Sequence, residues 1–132
     1  MRWPGTPAAR PDEETLMRYL LLIAEEEPVT PPTEADWATM MDEYRAYTRW
    51  LKERGWYGGG EALQPASTAT TVSVRDGQRI VTDGPFAETK EQLGGYFLLE
   101  APTLDDAIEA AARIPGARTG RIEVRPIADT GG

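Results

Sequence analysis

The chain has 132 residues, of which 14 are basic and 22 acidic, so its formal net charge is −8. This length suits one domain with one hydrophobic core, and the acidic balance opposes contact with a phosphate backbone, so we expect no direct nucleic-acid binding. Cysteine and histidine are both absent, which excludes disulfides, thiolate metal sites and histidine acid–base chemistry. We expect no metal and no cofactor, and the lack of an apolar run of about 20 residues predicts a cytoplasmic protein without a membrane span.

Residues 1–16 contain three prolines and show neither helical nor strand periodicity. This pattern is typical of a disordered N-terminal extension, and the prolines interrupt the apolar stretch that a signal peptide needs. We expect the folded domain to span residues 17–128 and residues 129–132 to form a flexible tail.

The first half of the domain predicts a strand and a capped helix. Residues 17–24 are apolar at both parities, which indicates a strand covered on both faces. Thr33 with Asp36 forms a capping-box pattern, and Gly55 offers a left-handed stop after a helix that runs to about Arg54. The apolar stripe of this helix consists of Trp37, Met40, Met41, Tyr44, Tyr47 and Leu51.

The second half predicts a hairpin, a strand, a helix and a last strand. Residues 56–65 form a glycine-rich extended segment, and the Asp76-Gly77 pair predicts a tight turn between strands at 70–75 and 79–82. Residues 96–100 read as a strand apolar on both faces. A cap at Thr103 then begins a helix that runs to about Ile114, and residues 119–127 form the last strand. The predicted buried side of this helix consists of Leu104, Ala107, Ile108, Ala111 and Ala112.

This order repeats a strand, helix and strand unit twice and predicts an α+β ferredoxin-like sandwich, with an antiparallel sheet, two helices on one face and an added β-hairpin. Two helices cover only one face of such a sheet, yet two strands carry large apolar groups on both faces. We therefore predict a homodimer joined sheet to sheet. The alternative is a monomer whose open face is covered by its own hairpin.

The segment from Val81 to Tyr96, which includes Asp83-Gly84-Pro85-Phe86, is the most specific motif of the chain. With the segments 59–65 and 122–126, it resembles the DGPF branch of the YCII-related proteins, a group of small bacterial α+β domains, over Met17 to Ile127. The resemblance implies a dimeric α+β barrel of the ferredoxin-like type. It also implies a regulatory or accessory role beside extracytoplasmic-function sigma factors. A His-Asp pair found in some relatives does not transfer, because this chain lacks histidine.

Asp83 and Glu61 are the candidate catalytic carboxylates. Asp83 ends a strand directly before Gly84-Pro85, so it could act as a general acid/base or ligand anchor, or its carboxylate could only accept backbone hydrogen bonds from the following loop. Glu61 follows three glycines that permit close approach of a ligand or merely a bulge. Arg18, Gln64, Thr70, Glu88 and Lys90 are the candidate ligand-binding residues.

Two further patterns have a structural explanation as well as a functional one. The loop after Asp83 could hold a ligand or be a solvated turn with a weak ion pair, with Phe86 as its hydrophobic anchor. The run Glu25-Glu26-Glu27 could attract a hard cation, but its lack of regular ligand spacing favours a solvated loop.

Two functions follow from this sequence. The first is a cytoplasmic, non-catalytic dimer that binds a small molecule or a regulatory partner near Asp83 and Glu61. The second is a cofactor-independent enzyme in which Asp83 or Glu61 moves a proton and Lys90 or Arg18 stabilises negative charge. The lack of histidine, cysteine and any nucleotide-binding motif favours the first.

Overall fold

Helices and strands follow one another along residues 15–130, the part of the chain that the computed structural model describes. In chain order they are β1 (Met17–Glu26), α1 (Glu34–Arg54), β2 (Tyr57–Ala62), β3 (Thr70–Arg75), β4 (Gln78–Asp83), β5 (Glu91–Ala101), α2 (Leu104–Ala112) and β6 (Arg121–Pro126). Residues 1–14 of the predicted extension and residues 131–132 of the predicted tail lie outside the described residues.

The predicted helix caps and turn are confirmed. The Thr33 hydroxyl accepts a hydrogen bond from the Asp36 backbone N–H at 3.1 Å, and the Asp36 carboxylate accepts one from the Thr33 N–H. Gly55 ends α1 in the left-handed conformation with φ 73°. Between β3 and β4, Asp76 and Gly77 both have positive φ, as a type I′ hairpin turn requires.

The main sheet contains four strands in the order β2-β5-β1-β6, and every neighbouring pair is antiparallel. Strands β3 and β4 form a separate two-stranded sheet inserted between β2 and β5. Without this insertion, the remaining elements follow the β-α-β-β-α-β order, so the architecture is α+β and consistent with a ferredoxin-like fold.

The core lies between one face of the main sheet and the two helices. Tyr47 and Leu51 of α1 pack against the sheet, and the Tyr47 hydroxyl donates a hydrogen bond to the Ala110 carbonyl of α2 at 2.8 Å. The buried hydrophobic residues are Tyr19, Leu21, Ile23, Tyr47, Leu51, Phe97, Leu99, Ala101, Ala107, Ala110, Ala111 and Ile114. Alternate residues of β1 and β5 thus supply the sheet side of the core.

The predictions about the two helix faces are partly wrong. Ala107 and Ala111 of α2 are buried as predicted, together with Ala110. Leu104 and Ile108 keep 50% of their surface exposed, and Ala112 is also exposed, so these three predictions are wrong. Small side chains face the sheet here, so Leu104 and Ile108 lie on the flank. In the first turns of α1, Trp37 is also exposed because that end lies beyond the core cluster.

In the described range, no helix is long and apolar enough to cross a membrane.

Candidate functional site

The face of the main sheet that points away from the helices is apolar at its centre. Leu20 pairs with Leu98 across the β1–β5 ladder, and Leu22 pairs with Tyr96. Directly paired residues point to the same side of a sheet, so these four side chains form one patch, which we call the open face. All four are partly exposed, whereas their neighbours along the same strands are buried against the helices.

Charged side chains of both signs surround the open face. Along β1 and β5, Arg18 pairs with Glu100, and on the edge strand β2, Glu61 pairs with Tyr96. On the opposite edge, β6 places Arg125 beside Leu20 and Glu123 beside Leu22. The open face therefore has an apolar centre and a charged rim.

Arg18 and Glu61 lie on the same face but at separate positions of this rim. Arg18 is four residues from Leu22 along β1. Leu22 pairs with Tyr96 of β5, and Tyr96 pairs with Glu61 of β2, so Glu61 lies two strands away from Leu22. Strand geometry then places the Cα atoms of Arg18 and Glu61 roughly 16 Å apart. One copy of the chain does not bring the two predicted residues together around one small ligand.

The β3–β4 hairpin carries the other predicted carboxylate, and we call residues Thr70–Asp83 the arm. The ladder pairs Thr70 with Asp83, Val72 with Val81 and Val74 with Arg79, so these six side chains share one face. Val72, Val74 and Val81 keep 57%, 59% and 57% of their surface exposed. The monomer alternative requires the arm to cover the open face of its own sheet. The exposure of these valines shows that the valine face is not buried in this way.

The alternative in which the Asp83 carboxylate only accepts backbone hydrogen bonds from the following loop is wrong. Among the described residues, the Asp83 carboxylate accepts no hydrogen bond from the following loop. The turn is held instead by Gly84, whose N–H donates to the Ala69 carbonyl at 2.7 Å and whose carbonyl accepts from the Thr71 hydroxyl at 2.7 Å. Asp83 is exposed at the base of the arm.

The remaining predicted binding residues lie in the segments that flank the arm. Gln64 is exposed just after β2, and Glu88 is exposed in the loop before β5. Lys90 forms an ion pair with Glu26 at 3.2 Å. Phe86 is 92% exposed, so the prediction that it anchors this loop is wrong for a single copy of the chain.

The three consecutive glutamates at the end of β1 take three separate partners. Glu25 accepts a hydrogen bond from the Thr119 hydroxyl at 3.2 Å, Glu26 pairs with Lys90, and Glu27 accepts a bond from the Ala66 N–H at 2.9 Å. No cluster of three or more acidic side chains suited to a metal occurs in the described part of the chain. The run connects neighbouring segments.

Sequence reasoning missed a polar cluster beneath the N-terminal half of α1. A cavity of about 270 Å³ is lined there by Glu25, Asp36, Thr39, Met40, Glu43, Tyr44, Pro115, Gly116, Arg118 and Thr119. Burial, and to a lesser degree the nearby Glu25 carboxylate, raises the pKa of the Tyr44 hydroxyl. Arg118 forms an ion pair with Glu43 at the same place.

The sequence signal for this cluster is Gly116, which lies just after the predicted end of the second helix at about Ile114. A Cβ atom on Gly116 would lie 2.7 Å from a Glu25 carboxylate oxygen and 3.1 Å from the Tyr44 hydroxyl. A second groove of about 380 Å³ runs along α1, lined by Met41, Tyr44, Arg45, Thr48, Arg49 and Lys52. Neither of these two cavities is lined by a residue that the sequence predicted to be catalytic or ligand-binding.

Comparison with known proteins finds a family profile and a relative that match this chain. The profile of the YCII-related domain matches residues 17–130, nearly the whole described range. The chain is also similar to the uncharacterized protein R00369 of Rhizobium meliloti (strain 1021), with 38% identity over 115 residues that cover 85% of this chain and 93% of the relative. On the profile match and this identity, the chain belongs to the YCII-related family.

Proposed function

We propose that this protein works as a homodimer, joined through the two open faces in the manner of a dimeric α+β barrel, which binds a small molecule at the rim of the interface. The observation that carries the proposal is the apolar centre of the open face, formed by Leu20, Leu22, Tyr96 and Leu98. A contiguous apolar patch with a polar rim is typical of an interaction site.

Burial supplies the driving force for this assembly. Complete burial of an exposed large apolar side chain lowers the free energy by about 1.5 to 3 kcal/mol. These four side chains are already partly covered in one copy, so each would contribute only part of that free energy to dimer formation. In a two-fold dimer each of these side chains is buried once in each copy, so its contribution occurs twice.

The charged rim favours a second copy over an unrelated partner. Arg18 and Arg125 stand on the same rim as Glu61, Glu100 and Glu123. A surface with both signs can be complementary to itself, since rotation brings an arginine of one copy towards a glutamate of the other.

The same rim supports the binding part of the proposal. Arg18 and Glu61 are roughly 16 Å apart in one copy, but in the proposed dimer the rims of two copies meet. Opposite charges from the two rims beside an apolar centre suit a small polar or zwitterionic molecule with a hydrophobic portion. A regulatory role beside an extracytoplasmic-function sigma factor, as the DGPF resemblance implies, would then depend on a ligand or a protein partner. Direct DNA contact is opposed by the net charge of −8.

The enzyme alternative gains no support from the geometry. Asp83 and Glu61 are both exposed, and neither lines one of the two cavities described above. A general acid or base acts on a reacting group held within hydrogen-bond reach, and neither of these two cavities would hold a substrate beside the carboxylates.

Light scattering after size-exclusion chromatography tests the assembly. We expect the wild type to have twice the 14.6 kDa chain mass at micromolar concentration, and Leu22→Glu to have the single mass. The matched control is Leu104→Glu, which adds the same charge on an exposed site of α2 and should stay dimeric. A wild type of single mass would overturn the proposal.

A thermal-shift screen of small metabolites tests the binding. Hits found with the wild type are repeated on Glu61→Gln, Arg18→Gln and Asp83→Asn. We expect the first two variants to lose the shift at ligand concentrations that saturate the wild type. Wild-type binding by both of them would show that the rim is not the site.

A further inference from the structure

We propose that the arm of each subunit packs its valine face against the border of the second copy's open face, and so carries Asp83 to the charged rim of its partner. This inference rests on the dimer proposed above. It adds a second contact surface to that dimer and makes the site composite, with residues from both copies.

The arm is poorly covered by the described residues of its own chain. No third strand within residues 15–130 joins its two strands, and the three valines of one face remain more than half exposed. A two-stranded hairpin is marginally stable by itself in water and needs a packed face to persist. The regular six-pair ladder of β3 and β4 therefore indicates that something covers the valines in the working protein.

The size of the open face also calls for an added contact. Four strands about 4.8 Å apart, paired over about six residues, form a patch of roughly 400 Å². Stable interfaces bury about 800 Å² on each partner. The exposed arm, together with the exposed Phe86 beside it, offers apolar surface to make up this difference.

The position of the arm suits contact with a second copy. The arm leaves the sheet after Ala62 of β2 and returns before Glu91 of β5, and β2 is an edge strand. It therefore starts at the border of the open face, where the partner would sit. In a two-fold dimer, two equivalent arms would each reach the other copy, which closes the assembly.

The charges of the two surfaces match as well. The valine face carries Arg79 towards the tip of the arm and Asp83 at its base. The rim of the open face offers glutamates and arginines to both. Asp83 and Thr70 of one copy would then lie beside rim residues of the other, which explains why the residues singled out by sequence are scattered in a single chain.

Two adjacent arm residues give a matched test. Val81 is on the valine face, whereas Ile80 is on the opposite face, where it pairs with Ser73. We expect Val81→Asp to raise the dimer dissociation constant at least tenfold and Ile80→Asp to change it less than twofold. Both constants are measured by sedimentation, with circular dichroism confirming that both variants fold.

The outcomes separate this inference from the proposed dimer. A monomeric wild type overturns both. A dimeric wild type whose dissociation constant is unchanged by Val81→Asp, or changed equally by Val81→Asp and Ile80→Asp, overturns the arm contact alone. A selective loss with Val81→Asp supports it.

Discussion

Gly95 and Glu61 lie so close across the β5–β2 ladder that a Cβ atom built on Gly95 would lie 2.9 Å from the Glu61 carbonyl oxygen. The glycine thus lets the edge strand β2 pair closely with β5. Glu61 projects from this same strand onto the open face, so the contact helps to set where that carboxylate stands.

Replacing Gly95 should therefore destabilise the edge of the sheet. We expect Gly95→Ala to lower the free energy of unfolding by about 1 to 3 kcal/mol, because the new methyl group meets backbone atoms that cannot rotate away. Gly94→Ala is the control, since its Cβ would have an ordinary contact of 3.9 Å with the Ile23 carbonyl oxygen. Urea denaturation measures both, and equal losses would contradict this explanation.

The hydroxyl of Tyr47 should link stability to alkaline pH. Burial raises the pKa of Tyr47 above its ordinary value, so the folded state holds the phenolic proton more tightly than the unfolded state. Its contribution is fully present below about pH 10 and is lost as pH rises towards the folded pKa. Tyr47→Phe should flatten this decline between pH 10 and 12.

At neutral pH the same variant loses the hydrogen bond to the Ala110 carbonyl and should be less stable by about 1 kcal/mol. Burial also raises the pKa of Tyr44 and Tyr19, so part of the alkaline decline should persist. Denaturation curves from pH 8 to 12 measure the effect. Parallel curves for wild type and variant would contradict it.

The cap of α1 should contribute measurably to stability. Thr33→Ala removes the hydroxyl that accepts the Asp36 N–H, and we expect a loss of about 1 kcal/mol. Thr39→Ala is the control, because Thr39 lies exposed within α1 and alanine is the better helix former there. Thermal unfolding should show a lower midpoint for the first variant only.

Asp83 should matter little for the stability of the arm. Its carboxylate accepts no hydrogen bond within the described part of the chain, so Asp83→Asn should change stability by less than about 0.5 kcal/mol. Thr71→Val removes the bond to the Gly84 carbonyl and should cost about 1 kcal/mol locally. Hydrogen exchange of the arm amides measures both, and the reverse order would restore a structural role to Asp83.

Features set by a few neighbouring residues could be predicted from sequence. The Thr33–Asp36 cap, the Gly55 stop and the Asp76-Gly77 turn each depend on local hydrogen bonds and allowed φ angles. The apolar residues at both parities of β1 and β5 likewise predicted a sheet with an apolar second face. The structure keeps these local conformations because no contact with a distant part of the chain changes them.

Features that depend on how closely elements approach could not be predicted. Ala107 and Ala111 were predicted on the buried face of α2, but hydropathy also placed Leu104 and Ile108 there and left out Ala110. The cluster around Tyr44 arises only where Gly116 lets the chain approach Glu25. The separation of Arg18 from Glu61 is set by strand register across the sheet, which neither residue reveals alone.

The arm is inserted between two strands that are already hydrogen-bonded neighbours. Ala62 pairs with Gly95, so a short connection could replace residues 63–90, which precede β5, without altering the order of the four-stranded sheet. The scaffold and the insertion can therefore diverge independently. Within one family, substitutions in the insertion could change what is recognised while the body that presents it stays the same.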